Sequence, residues 1–149
     1  MKIHTADDVT PYRYVIQGTL LFDLPEYDPR PINEGYYTYT PTDDDVAYEY
    51  VINRYPDVID AVGKNKRPKN LCGQHEITSY WDVSNTDKCA YSFALKVTGF
   101  GIEYSVSEVQ NFFLDVFPEF ESVFKNQTNC STNVSCGHNE RIFTFTLEI

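Results

Sequence analysis

The stretch Tyr55–Asn65 reads YPDVIDAVGKN, and a second stretch, Phe117–Asn126, reads FPEFESVFKN. In both, an aromatic residue precedes a proline, and an acid and an apolar residue follow in the same order. A proline ends or kinks a helix near the residue before it, and it is well tolerated at the first position of a new helix. The pattern therefore predicts two related helical units, each broken at its proline, and indicates an internal repeat.

Helix-start signals lie ahead of both stretches. Thr42 precedes aspartates 43–45 and then an apolar run, so Thr42 can cap a helix whose N-terminal dipole the acids complement. Ser105 and Glu108 have the spacing of a capping box ahead of a second apolar stripe. The helical residues expected to face a sheet are all apolar or aromatic: Tyr50, Val51, Val58, Phe112, Phe113, Val116 and Phe120.

Four segments alternate between apolar and polar residues, as strands covered on one side do. They are 12–24, 75–83, 89–100 and 141–149. Strands and helices then follow one another as βαββαβ, which predicts the α+β class and a ferredoxin-like two-layer sandwich. Its four-stranded antiparallel sheet would have the spatial order 4-1-3-2, with two helices on one face. The open face would carry polar residues: Arg13, Gln17, Thr19, Thr78, Ser92, Lys96, Thr144 and Thr146.

The 149 residues fit one ordinary domain. We expect an N-terminal arm at 1–11 and a single ferredoxin-like domain at 12–149, made of βαβ halves at about 12–83 and 89–149. The repeat is interrupted by a long Tyr/Pro-rich insert at 25–41. Loops of this length are usually functional or unstructured.

The insert carries four tyrosines that are candidate protein-interaction residues: Tyr27, Tyr36, Tyr37 and Tyr39. The alternative is that these tyrosines fold back on the domain. The alternation of tyrosine and threonine after Gly35 also suggests an extra edge strand. Both this insert and the N-terminal arm could add a strand to a neighbour's sheet.

Three N-glycosylation patterns lie close together, with their asparagines at 126, 129 and 133. All three, Asn126, Asn129 and Asn133, fall in the connection before the last predicted strand, where we expect exposure. The four cysteines are Cys72, Cys89, Cys130 and Cys136. An even count without zinc-site spacing favours two disulfides over four thiols.

The disulfide pairing stays open at the level of sequence. Cys130 and Cys136 could close a small loop, and the rival pairing joins Cys89 to one of them. In the predicted topology the starts of strands three and four lie at the same end of the sheet, with Cys72 at the other. An intermolecular bond would then be one solution for Cys72.

The net charge of −10 disfavours binding to nucleic acid and to anionic membranes. No apolar stretch approaches the roughly 18 residues of a membrane span. The N-terminus has no apolar signal-peptide region, so secretion would require a signal segment absent from this chain.

No catalytic residue, metal site or cofactor is predicted. The three histidines lie in no recognisable catalytic pattern, and aspartates 43–45 lack the spacing of a calcium loop. The expected function is a non-enzymatic extracellular or cell-surface glycoprotein module that binds proteins, including copies of itself as a self-assembling subunit. Two alternatives are a secreted ligand-binding or decoy protein that recognises a basic partner, and a small intracellular enzyme or regulatory domain with incidental glycosylation patterns.

Overall fold

A computed structural model of the chain describes residues 1–5, 10–23, 32–34, 37–39, 43–82, 89–125, 131–134 and 139–148. The strands are β1 (Lys2–Ile3), β2 (Pro11–Phe22), β3 (Ile32–Glu34), β4 (Tyr37–Tyr39), β5 (Gln74–Asp82), β6 (Cys89–Phe100), β7 (Ile102–Glu103), β8 (Ser131–Val134) and β9 (Glu140–Glu148). The helices are α1 (Asp43–Arg54), α2 (Pro56–Lys64), α3 (Val106–Val116), a 3-10 turn (Pro118–Phe120) and α4 (Glu121–Lys125).

The main sheet has five strands in the order β5-β6-β2-β9-β8. Its four long strands match the four predicted segments to within about two residues, and their spatial order is the predicted one. Helices and strands alternate around one core, which confirms the mixed α+β class.

The prediction of a fully antiparallel sheet is wrong, because β9 runs parallel to β2, from the pair Arg13–Glu140 to the pair Leu21–Glu148. The reason is the short strand β8, which the sequence did not predict. β8 precedes β9 on the outer edge and pairs with it in antiparallel fashion. The chain therefore turns back before it enters the sheet as β9, and the ferredoxin-like topology is not confirmed.

The core lies between the helices and one face of the sheet. In β2 the even-numbered residues from Tyr14 to Phe22 are buried and the odd-numbered ones are more exposed. The apolar side chains of β6 and β9 join the same buried cluster. Every helical residue predicted to face the sheet belongs to the cluster or packs against it, so the periodicity identified the helix faces correctly.

Both helical units break at their prolines, as predicted. The residues before the prolines, Tyr55 (φ −131°, ψ 57°) and Phe117 (φ −123°, ψ 70°), have nearly the same backbone conformation. The two units also meet: the rings of Tyr55 and Phe120 stack at 5.7 Å, and the backbone N–H of Asp57 donates to Glu119 Oε1 at 2.8 Å. The predicted capping box of Ser105 and Glu108 is present.

Glu119 provides a test of this junction. Burial raises the pKa of its carboxyl, and the charge of Asp57 acts in the same direction, while the Asp57 N–H opposes both. A carboxyl whose folded pKa exceeds its unfolded pKa lowers stability as pH rises through that interval. Glu119→Gln should therefore raise the melting temperature at pH 7 but leave it nearly unchanged near pH 4, measured by circular dichroism.

The amide of Gln keeps an oxygen acceptor for the Asp57 N–H, whereas Glu119→Ala removes it. The alanine variant should thus be less stable than the glutamine variant at both pH values. A glutamine variant that melts below the parent at pH 7 would mean that the interaction of the carboxylate with the α2 N-terminus outweighs its burial.

The described part of the N-terminal arm pairs within its own chain. β1 forms an antiparallel pair with β7, and the His4 N–H donates to the Gly101 carbonyl at 2.9 Å. The His4 ring stacks on Tyr12 at 5.1 Å. These contacts hold residues 2–4 on the domain, so the idea that the whole arm extends a neighbour's sheet does not fit their placement.

Candidate interaction surface

The second face of the sheet carries the residues predicted for the open side. Arg13 and Lys96 are exposed there, and Thr19 contacts Ser92 with 3.2 Å between their hydroxyl oxygens. Ser92 departs from the expectation: it is buried, because it lies in the middle of the sheet opposite Tyr80. The described helices pack on the other face.

A groove with a volume of about 540 Å³ crosses this face at the end where β2, β5 and β9 begin. Each of its two fixed cations stands opposite an acid on the neighbouring strand, Arg13 opposite Glu140 and Lys96 opposite Glu76. Opposite charges on facing strand positions attract each other. The groove is therefore polar and of mixed charge, which suits hydrogen bonding to a polar partner surface.

The lining of the groove includes one imidazole ring and no cluster of metal ligands among the described residues. His75 lines it, but the ring Nε2 lies 2.8 Å from the Asn65 carbonyl oxygen, so the ring is held by the end of α2. Within the described residues no three potential metal ligands come together. None of the helices in the described part of the chain is long and apolar enough to cross a bilayer.

The β5 edge is a second exposed feature, since β5 pairs with β6 on one side and has no partner strand on the other within the described residues. Its first half is covered by Asn65, which ends α2 in the left-handed conformation (φ 48°, ψ 53°). The Asn65 side-chain oxygen accepts the N–H of Ile77 at 3.1 Å. Beyond Ile77, at Ser79–Trp81, no described group covers the edge.

Aromatic side chains flank this uncovered part of the edge. Trp81 packs on the buried Tyr91 at 4.2 Å, and Tyr48 of α1 lies 6.3 Å from Trp81. Tyr80, which alternates with Trp81 and so points to the open face, is 59% exposed, and Tyr48 is 47% exposed. Burial raises the pKa of the Tyr91 phenol, and its side-chain hydrogen bond with Ser79 acts in the opposite direction.

Sequence reasoning missed Tyr48 and Tyr80 because it looked for interaction residues only in the insert. A usable signal existed: Tyr80 sits on the polar face of a predicted strand, where an aromatic residue has no core to join. Among the predicted tyrosines, Tyr37 and Tyr39 lie in β4, while Tyr27 and Tyr36 lie outside the described residues. The predicted extra strand is present, but it pairs with β3 in a separate two-stranded ribbon.

Only one of the three predicted glycosylation sites lies within the described residues. Asn133 lies in β8, the outermost strand of the main sheet, opposite Ile142 of β9. Asn126 and Asn129 lie outside the described residues, as do Cys130 and Cys136. The connection before the last strand was predicted as a loop, and the presence of β8 corrects that prediction.

The two described cysteines lie at opposite ends of the sheet. Cys89 is buried and pairs in register with Phe22, whereas Cys72 is exposed and precedes Gln74, whose partner is Thr98. They are therefore too far apart to bridge each other. The predicted placement of strand starts is also wrong: because β9 is parallel to β2, it begins at the end of the sheet that holds Cys72.

Cys72 sits in a well-held turn. The Arg67 guanidinium donates to the carbonyls of Leu71 (2.8 Å) and Gly73 (2.9 Å) on either side of it. The hydroxyl of Tyr104 donates to the Cys72 carbonyl. These bonds fix the backbone around an exposed sulfur, and the disulfide pairing itself stays a prediction.

Comparison with known protein families, with characterised proteins and with solved structures finds no match to this chain.

Proposed function

We propose that this protein is a non-enzymatic extracellular glycoprotein module that makes protein–protein contacts through the uncovered side of its sheet. The observation that carries the proposal is the presence of two exposed features on one sheet: a polar groove of about 540 Å³ and a strand edge whose second half has no partner within the described part of the chain. Sheet edges and polar sheet faces are surfaces that proteins use to bind other polypeptides. A self-assembling subunit would be one form of such a module.

The extracellular part of the proposal rests on the predicted glycosylation sites and the cysteine count. Three glycosylation patterns within 126–135 and an even number of cysteines are typical of proteins that fold in an oxidising compartment. Asn133 lies in β8, the outermost strand of the main sheet among the described residues.

A second candidate is a secreted binding protein that recognises a basic partner. It is favoured by the net charge of −10, which attracts cationic surfaces over a distance set by the salt concentration. The self-assembling and ligand-binding candidates differ in a simple observable. Sedimentation at rising concentration should show association for a self-assembling subunit, and a persistent monomer would favour the ligand-binding candidate.

Expression with a secretion signal in animal cells tests the compartment. We expect an intact mass above that of the bare chain, reduced by an enzyme that removes N-glycans. Thr128→Ala, Ser131→Ala and Ser135→Ala together should abolish this difference, because each destroys one pattern but keeps its asparagine. Asn139→Gln, outside any pattern, is the matched control and should leave the mass difference intact.

The same preparation reports the cysteines. Alkylation in denaturant, where the buried Cys89 is also accessible, should show thiols that react only after reduction. A bare-chain mass together with four reactive thiols in the unreduced protein would contradict the extracellular proposal and favour the small intracellular domain.

A further inference from the structure

We propose that the uncovered half of the β5 edge, Ser79–Trp81, binds an extended basic polypeptide segment that adds to the sheet as a further strand. The inference deepens the proposed protein-binding function by naming the place and the chemistry of the partner, and it rests on that function. Three kinds of observation support it: the backbone of the edge, its aromatic side chains and its charge.

The first kind of observation is the direction in which the backbone N–H and C=O groups of β5 point. The Ile77 N–H donates to Asn65, which lies beyond the edge, so Ile77 directs its peptide groups away from β6. In an antiparallel pair, outward-directed residues alternate with inward-directed ones. Ser79 and Trp81 therefore present their N–H and C=O groups outward. An added strand can pair with these groups, as in other complexes formed by strand addition.

Asn65 limits where the added strand can lie. Its side chain occupies the N–H of Ile77, and its carbonyl oxygen lies 2.8 Å from the His75 ring. The first half of β5 is thereby closed, in the way that many proteins protect part of an exposed edge. The accessible register begins at Ser79.

The side chains on both sides of the uncovered edge suit cationic residues. Tyr80 points to the open face, and Tyr48 with Trp81 lies on the helix face, so alternate residues of an added strand meet an aromatic ring on either face. Lysine and arginine bind the faces of aromatic rings, with tryptophan the most favourable.

The fixed charges around the edge point to a basic partner. On β5 the charged side chains other than His75 are the exposed acids Glu76, which faces Lys96 of β6, and Asp82 at the end of the strand. On α1, Asp45 and Glu49 are exposed and lie close to Tyr48 in sequence, on either side of it. Arg54, the basic residue of that helix, is engaged with Tyr50: it donates to the hydroxyl at 2.7 Å and lies 5.1 Å above the ring.

The same charges disfavour a second copy as the occupant. Two copies in edge-to-edge contact would bring the exposed acids Glu49 and Asp82 of both protomers, each with a net charge of −10, into one interface. Like charges facing each other across strands are destabilising. A segment with lysine or arginine at alternate positions has no such conflict.

Fluorescence of Trp81, the only tryptophan of the chain, gives a local readout. The probe is a peptide of about nine residues that alternates lysine with threonine, a length matched to an ordinary strand. We expect a saturable change in emission. A peptide with glutamate in place of lysine should bind at least about tenfold more weakly, because its charges meet the acids of the edge.

A third peptide tests whether backbone hydrogen bonds contribute to binding. N-methylation at alternate residues removes the N–H groups that would pair with the edge but keeps the side-chain charges, and it should weaken binding at least about tenfold. Equal binding of the methylated peptide would overturn strand addition. Equal binding of the glutamate peptide would overturn the charge preference.

Three variants of the protein, one of them a control, test the register. Ser79→Pro removes an outward N–H, a change that edge strands tolerate, and should weaken binding at least about tenfold. Ser79→Ala is its control, since it also loses the hydroxyl that contacts Tyr91 but keeps the N–H, and it should bind like the parent. Asn65→Gly keeps the left-handed helix end and frees the Ile77 N–H, so it should tighten binding about threefold to tenfold.

The outcomes separate this inference from the proposed function. If the protein binds the lysine peptide but carries no glycans, the edge site is supported and the extracellular assignment is contradicted. If it carries glycans but does not respond to the lysine peptide, the extracellular assignment is supported and the edge site is contradicted. Concentration-dependent dimers that Ser79→Pro abolishes would identify a second copy as the occupant and overturn the basic partner. The peptide measurements on the parent protein remain decisive if the proline variant does not fold.

Discussion

Gly18→Val should lower the melting temperature of this protein by roughly 10 °C, which corresponds to about 3 kcal/mol for a domain of this size. Gly18 lies on the buried face of β2, where a Cβ atom would stand 2.4 Å from Phe145 Cζ and 2.8 Å from Phe93 Cζ. Both rings are almost fully buried, Phe93 at 1% and Phe145 at 3% exposure. They have no free space to move into, so the added methyl groups must distort the core.

Gly63→Ala is the matched control, because Gly63 lies near the end of α2, where an added Cβ atom would have nothing within 4 Å. Alanine in place of a helical glycine should stabilise the fold by about 0.5–1 kcal/mol. Thermal and urea unfolding followed by circular dichroism measure both changes. A valine variant as stable as the parent would mean that the contact of the two phenylalanine rings over Gly18 is not a constraint on the core.

Phe93→Ala should cost about 3–5 kcal/mol, a large share of the roughly 5–15 kcal/mol that ordinary domains possess. Phe93 lies at the centre of the aromatic cluster, with ring centroids at 5.0 Å from Phe117, 5.3 Å from Phe120 and 6.2 Å from Phe145. These neighbours come from the helical layer and from β9. Removing the ring therefore leaves a cavity where the two layers meet, and the cavity adds to the lost burial.

Phe93→Leu keeps most of the apolar volume and should recover more than half of this loss. Phe100→Ala is the exposed control on the same strand: Phe100 is 49% exposed, and its removal should change the unfolding free energy by less than about 1 kcal/mol. The urea midpoint, at constant slope, checks the series. Equal costs at positions 93 and 100 would contradict the placement of the core.

Local signals predicted most of the secondary structure correctly. The alternation in 12–24 and 89–100 identified β2 and β6, and the capping box of Ser105 and Glu108 located the start of α3. β8 was missed because its residues, STNV, alternate in no apolar pattern and lie in a segment that reads as a polar loop. Strand β8 is held by its pairing with β9, a contact that sequence periodicity does not contain.

The candidate site was harder to predict than the fold. The uncovered part of β5 depends on two facts that are distant in sequence, the end position of β5 in the sheet and the hydrogen bond from Ile77 to Asn65. Tyr48 reaches Trp81 only because α1 packs beside β5. The high tyrosine content of the insert predicted interaction residues that include Tyr37 and Tyr39, but these two lie in a separate two-stranded ribbon.

The sequence by itself determined the four long strands, the main helices and the side of each that packs on the core, because side-chain periodicity follows from local backbone geometry. It also determined the breaks at Pro56 and Pro118, since proline acts on its own turn and its neighbour. Tertiary structure alone decided that β9 runs parallel to β2 and that, among the described residues, none pairs with the second half of the β5 edge. An alternating strand buries the same face whichever way it runs, so its direction and partners are set by long-range packing rather than by its own pattern.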